Sequence, residues 1–413
     1  MSHGHLIRPR LSASWVRLWG AAALVLVGAL PCPSRAATPV ARVVDDQPFA
    51  ANLVAVSSDW QLTWKLPDGK NRKTAAANLV CWGTWPGAGQ GTLVVLAGGG
   101  NLYGELLALD REQLTLDSDV FGELKLPLEL VAGLAPQPPS DLADRAELVR
   151  RIVTATGGAD RLRLENGDEL SGKLAGLKQG KLELKTATAA VSLELGKVSA
   201  VIFNPGLAAQ PVPTGLTAWA GFADGSIVRL ASLQLDEKSC TATLFGGVAL
   251  KPDAKALVAL QPLGGSVVYL SDLKADSYKH IPYLQLAWPY ELDRNVTGGP
   301  LRCGGTTYRK GLGMHSAARL TYVLDQAYRR FETGVGIDDS TAGAGSVLFR
   351  VYTDDGSGKW KERFSSTTVR GGQAPLPVSI DLAGAKRISL LVEFADEADV
   401  QDHADWLDAR LVK

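Results

Sequence analysis

From Leu320 to the end of the chain, apolar and polar residues alternate in short runs: LTYVL, FETGVGI, SVLFRVY, LPVSIDL, RISLLVEF and WLDARLV. In the fourth of these, Leu376, Val378, Ile380 and Leu382 share one face, and Ser379 and Asp381 share the other. This period of two is the signature of half-buried strands. Turn chemistry separates the runs at Asp338-Asp339, Asp354-Asp355-Gly356, Gly371-Gly372 and Ala383-Gly384. Short strands at such spacing predict two antiparallel sheets packed face to face.

The same alternation organises the middle of the chain. The stretch from Thr92 to Leu134 matches the stretch from Arg161 to Phe203, with Gly104 aligned to Gly172, Leu106 to Leu174, Leu114 to Leu182 and Leu116 to Leu184. A weaker copy runs from Leu216 to Leu260. Each reads as five short strands, a set that closes into a small SH3-like or Sm-like barrel and so removes exposed edges. Between the first two copies, Pro136, Pro138 and Pro139 stop a strand. Ser140 or Asp141 then caps a short helix with Leu142, Leu148, Ile152 and Val153 near one face, ended by Gly157-Gly158.

The expected organisation is a leader over 1–36, a β region with the first barrel over 37–135, and a Pro-rich linker and helix over 136–158. A second β repeat follows over 159–204, a linker over 205–215, a third repeat over 216–264 and a sandwich over 267–413. Trp60, Trp64, Trp82 and Trp85 cluster in the first β region, where a packed core is preferred over a surface for stacking sugars.

Composition narrows the function. The 43 basic and 43 acidic side chains leave no net field to draw in nucleic acid or an anionic membrane. Arg8, Arg10 and Arg17 precede an apolar run from Leu18 to Leu30, with small residues at Ser34, Ala36 and Ala37. That pattern predicts a secretory signal cleaved after Ala36, a secreted or periplasmic protein, and no membrane span after cleavage. Cys81, Cys240 and Cys303 have no C-x-x-C spacing and suggest neither a zinc site nor a disulfide framework, and the sequence does not pair them.

YRKGLGMHSAARLTYVLDQAYRRFETGVGIDDS, GSVLFRVYTDDGSGKW and DHADWLDARL resemble the NPCBM family of carbohydrate-binding modules. The G-x-G-x-H-S phrase at Gly311, Gly313, His315 and Ser316, joined to Asp402-His403-Ala404-Asp405-Trp406, carries the resemblance, which covers roughly Val267 to Lys413. It implies a jelly-roll sandwich of the galactose-binding type and glycan binding, often as an accessory to a hydrolase. The expected fold class is therefore mainly β, with small barrels followed by a jelly-roll sandwich.

A sugar site needs an aromatic face for pyranose C–H groups and fixed polar groups for the hydroxyls. Trp360, Tyr308, His315, Arg350, Asp354 and Asp355 are the candidates, with Trp288, Tyr352 and Trp406 also in the module. Trp360 follows the polar turn TDDGSGK and is expected near a loop tip, whereas Trp406 lies in a strand and reads as core. Asp399, Asp402 and Asp405 offer hard oxygen ligands for a structural calcium, although a solvated acidic turn is the preferred reading. No G-x-S-x-G elbow, H-E-x-x-H zinc helix or P-loop is present. The sequence thus points to an exported, non-catalytic protein that binds a polysaccharide or glycoconjugate. The alternatives are an envelope protein that binds a protein partner through its barrels, and a cryptic glycoside hydrolase.

Overall fold

The computed structural model describes residues 38–209, 212, 214–283 and 286–413. The expected leader, with its arginines and its cleavage point at Ala36, lies outside the described residues. From Thr38 to Lys413 the chain forms one compact unit, built almost wholly of antiparallel strands around a single α-helix among the described residues.

One connection pattern recurs along the first part. Thr92–Leu96 pairs with Gly100–Leu109, which pairs with Gln113–Ser118, which pairs with Gly122–Pro127. A 3-10 turn, Leu128–Leu130, then leads into Val131–Ala135, which returns to pair with Thr92–Leu96. The strands of 160–202 and of 217–263 repeat this order, each with a 3-10 turn before the last strand. So do those of 40–83, where the second strand is split into Phe49–Ala50 and Asn52–Val56. The 40–83 unit is not apparent in the sequence.

Each unit turns its corner in the same way. The second strand slips register against the third between Leu53 and Ala55, Leu106 and Ala108, Leu174 and Gly176, and Leu230 and Ser232. A bulge of this kind bends the strand and lets its two halves serve different sheet faces. A unit of some forty residues buries too little apolar surface to stand alone. The four share edges and core: Val131–Ala135 pairs with Val198–Ile202, and Leu257–Leu263 with Leu79–Gly83. One continuous cluster of buried side chains runs from Ala41 to Leu260. Trp64 and Trp82 lie inside it, their indole N–H groups donating to Thr74 Oγ1 (2.7 Å) and the Ala51 carbonyl (2.9 Å).

The helix is Leu142–Val153, with Asp141 accepting from the N–H groups of Ala143 and Asp144. Its buried stripe is Leu148, Val149 and Ile152, while Leu142 and Val153 stay in water. The expected face is therefore too wide: Val153 lies about 100° round the helix from the buried Ile152 and falls outside the stripe.

The sandwich pairs two sheets. The front sheet runs Glu291–Leu292, Gly311–His315, His403–Val412, Arg330–Ile337 and Leu376–Asp381, with Val267–Tyr269 on the far half of His403–Val412. The back sheet runs Ser277–His280, Ala318–Val323, Arg387–Phe394, Ser346–Asp354 and Lys361–Ser365, with Val369–Arg370 on the start of Ser346–Asp354. Leu312, Met314, Phe331, Val335, Phe349, Leu390 and Trp406 meet between them. The Gly-x-Gly phrase has a steric cause: a Cβ on Gly313 would lie 2.5 Å from the carbonyl oxygen of Arg294, where the 291–295 segment crosses the strand.

Candidate functional site

The six residues expected to share a saccharide site are dispersed. Trp360 sits at the end of the back sheet where Ser346–Asp354 finishes, 37% exposed, with the Arg387 guanidinium 5.0 Å from its ring centre. Asp354 is buried rather than presented. It accepts from Gly358 N–H through Oδ1 and from Arg387 Nε (2.8 Å) and Nη2 (2.5 Å) through Oδ2, so its lone pairs are committed to the turn. Asp355 accepts from the backbone N–H of Ser357 and lies 3.7 Å from Lys361 Nζ. Arg350 lies on the outer face of the same sheet, ion-paired to Glu393 (2.7 Å) and Glu362 (3.0 Å). Tyr308 belongs to the Leu301–Tyr308 hairpin, packed on Leu301, Cys303 and Leu407 beside Arg42.

His315 lies at the opposite end of the sandwich from Trp360. Ala318 pairs with Val392, and Val347 with Phe394, whereas Asp354 pairs with Arg387. The strand Ser346–Asp354 thus separates the two ends by roughly 26 Å at about 3.3 Å per residue.

At the His315 end, three strand termini converge. Ser277–His280 ends in His280, Gly311–His315 ends in His315, and His403–Val412 begins with His403. The His315 ring lies 6.3 Å from the His280 ring and 5.7 Å, edge to face, from the His403 ring. Trp288 covers it, with centroids 5.2 Å apart and planes tilted by 30°. Trp288 is held in turn: its backbone N–H donates to His280 Nδ1 (2.9 Å), and its carbonyl accepts from Tyr278 Oη (2.8 Å). His403 Nδ1 lies 3.5 Å from Ser340 Oγ. Among the described residues, His315 has no hydrogen-bond partner for its ring nitrogens. Trp288 remains 44% exposed, with Ile281, Tyr283, Leu286 and Val400 exposed in the flanking loops.

The charge state follows from burial. Burial, then the neighbouring His403 and His280, push His315 down to about 4. Burial also lowers His280 and His403. A neutral imidazole has one donor and one acceptor, the pairing that a sugar hydroxyl can use in either sense. Because the folded state resists protonation, the His315 contribution to stability is present above the unfolded value near 6.5 and is lost as pH falls toward 4. In an NMR titration of histidine ring resonances, the His315 signals should stay flat from pH 8 to 5.5 and turn over near 4. A midpoint above 6 would contradict this environment.

The acidic trio does not converge. Asp402 is buried, accepts from Ser346 N–H of the back sheet (2.9 Å), and is pushed up to about 6 by burial. Asp405 is buried within the strand His403–Val412, where burial and then Asp338 raise its carboxyl well above the usual range. Among the described residues, no group of three or more His, Cys, Asp or Glu side chains is placed to hold a metal ion. Cys81, Cys240 and Cys303 are free thiols. Among the described residues, no helix is long and apolar enough to cross a membrane.

Comparison with known proteins bears on the same region. Over 115 residues (28% of this chain) it is 32% identical to a Renibacterium salmoninarum protein named as an endo-alpha-N-acetylgalactosaminidase, and over 121 residues (28%) it is 35% identical to alpha-1,3-galactosidase B of Akkermansia muciniphila. The chain spans 7% and 14% of the lengths of those two proteins. A solved CBM51 from Clostridium perfringens GH95, in complex with methyl-galactose, is 28% identical and covers 35% of this chain and 99% of its own, with a TM-score of 0.31. The CBM51-2 and INT domains of C. perfringens ZmpB, in complex with GlcNAc, are 25% identical over 47% of this chain and 38% of theirs, with a TM-score of 0.31. In sequence, residues 266–412, the sandwich that brings His280, His315, His403 and Trp288 together, match the NPCBM/NEW2 domain.

Proposed function

We propose that this protein is an exported, non-catalytic glycan-binding protein, and that it binds saccharide at the His315–Trp288 end of its sandwich. The observation that carries the reading is the pairing of an exposed indole with a neutral imidazole that has no partner among the described residues. The indole face suits the C–H surface of a pyranose, and the imidazole suits a hydroxyl at a fixed position beside it. The NPCBM/NEW2 match over the same residues supports saccharide as the ligand class. The two similar enzymes, named for N-acetylgalactosamine and galactose, favour a terminal sugar of the galactose configuration. The non-catalytic half of the reading extends the same match, since the residues that assemble the site all fall inside a domain of the carbohydrate-binding type. Export is supported by the arginine-flanked apolar run before Ala36.

Glycan-array binding by the chain from Thr38 to Lys413 tests this reading. Galactose- or N-acetylgalactosamine-terminated glycans should be retained, and the Trp360→Ala variant should retain them equally. Losing the Arg387 contact should lower its stability by only about 1 kcal/mol, the size of a partly exposed cation–π pair. Absence of binding to any glycan would refute the function. Loss of binding in Trp360→Ala would move the site to the other end of the sandwich.

A further inference from the structure

A cavity of about 730 Å³ lies where the last barrel unit meets the sandwich, lined on one side by Thr217, Trp219 and Arg229 and on the other by Arg294, Arg309 and Lys310. Its cations outnumber its anions. Asp272 and Asp293 are the two carboxylates of the lining, and both are taken by Lys310 Nζ, at 2.7 and 2.6 Å. Arg229, Arg294 and Arg309 form no ion pair among the described residues. Arg229 reaches only the Thr217 hydroxyl (3.3 and 3.2 Å) and stacks on Phe245 at 4.3 Å. Arg294 Nη1 is shielded from solvent without a hydrogen-bond partner. The Arg309 guanidinium lies 4.1 Å over the Trp219 ring, which is itself wedged against Gly99 and Gly100, so its plane is fixed.

Three half-buried guanidiniums that form no ion pair, in a cleft whose two carboxylates are held by Lys310, are costly unless something negative completes them. Burial lowers the pKa of all three, in the direction expected of cations with too few partners. Planar forks of this kind match the oxygens of a carboxylate or a sulfate. The volume lies in the range of small-molecule sites and leaves room for a ring beyond the anion. We propose that this cleft is a second binding site, for the oxyanion of an acidic saccharide, either a uronate carboxylate or a sulfate ester. The saccharide half of the proposal rests on the glycan-binding reading above. The oxyanion half rests on the three arginines alone.

The test is calorimetric titration of the chain from Thr38 to Lys413 with galacturonate, galactose 6-sulfate, galactose and inorganic sulfate. At least one acidic sugar should bind more tightly than galactose. Arg309→Gln and Arg294→Gln should each weaken that binding by about tenfold, the loss of one charge-assisted contact, while Trp288→Ala leaves it unchanged. The two acidic sugars identify which oxyanion is preferred. Acidic sugars that bind no better than galactose, or bind undiminished to both arginine variants, would overturn the proposal. Inorganic sulfate binding as tightly as galactose 6-sulfate would overturn its saccharide half. If Arg294→Gln fails to fold, Arg229→Gln probes the same cleft. Loss of neutral-glycan binding in Trp288→Ala, with acidic-sugar binding kept, separates the two sites.

Discussion

Trp288→Ala should weaken glycan binding by about 30-fold or more, the effect of truncating an aromatic anchor worth about 2 kcal/mol. The side chain is the exposed wall of the site, its ring against His315 and its backbone fixed by His280 and Tyr278. Removing it takes away the face on which a pyranose would stack and opens the imidazole to water. Because it is 44% exposed and outside the sandwich core, thermal stability should change little. The check is an affinity titration of the variant beside a melting curve. Binding within threefold of the wild type would place the sugar elsewhere. A large loss of melting temperature would mean that Trp288 serves the fold instead.

The largest effect on stability is expected from another tryptophan. Trp406 is wholly buried between the sheets, 5.1 Å from Phe349 in an edge-to-face arrangement and 6.5 Å from Phe331. Trp406→Ala leaves a cavity that the two hydrogen-bonded sheets cannot close, and should cost about 3–5 kcal/mol. In a chain this long, an unfolding entropy of about 2.1 cal/mol/K per residue gives roughly 1–2 °C lost per kcal/mol, so the melting temperature should fall by about 5 °C. Urea denaturation measures it directly. A loss below about 1 kcal/mol would mean that the sheets are not packed as described.

These two tryptophans show what the sequence discloses and what it conceals. Trp406 is legible as core because it falls inside the strand-like run WLDARLV, and strand character is a local property. The sandwich is legible for the same reason, since each strand carries its own evidence of which face is inside. The site is not local. It is assembled from residues at 280, 288, 315 and 403, each unremarkable in its own segment, and only the antiparallel ordering of the sheets brings those strand ends together. A usable hint was present: from Thr38 onward the chain has three histidines, all of them in the sandwich.

Nearness in sequence misled in the opposite direction. Asp354, Asp355 and Trp360 look like one polar loop, yet the Asp354 carboxylate is consumed by Arg387, a partner thirty-three residues away. Asp402 and Asp405 stand three positions apart, yet Asp402 precedes the strand and accepts from Ser346 of the back sheet, whereas Asp405 lies within the strand, buried near Asp338. In the first part, leucines mark the barrel pattern plainly in 161–203. The unit at 40–83 escapes notice because its core is filled by Trp64 and Trp82 and its second strand is interrupted.

The claim on which the functional account depends is that sugar sits against His315. The most direct measurement follows the histidine ring resonances of the full chain as methyl galactoside is added at pH 7. The signals of His315 and His403 should shift progressively and saturate together, with the Trp288 indole following and the Trp360 indole unmoved. Saturable binding that leaves the three histidines unshifted would contradict the account.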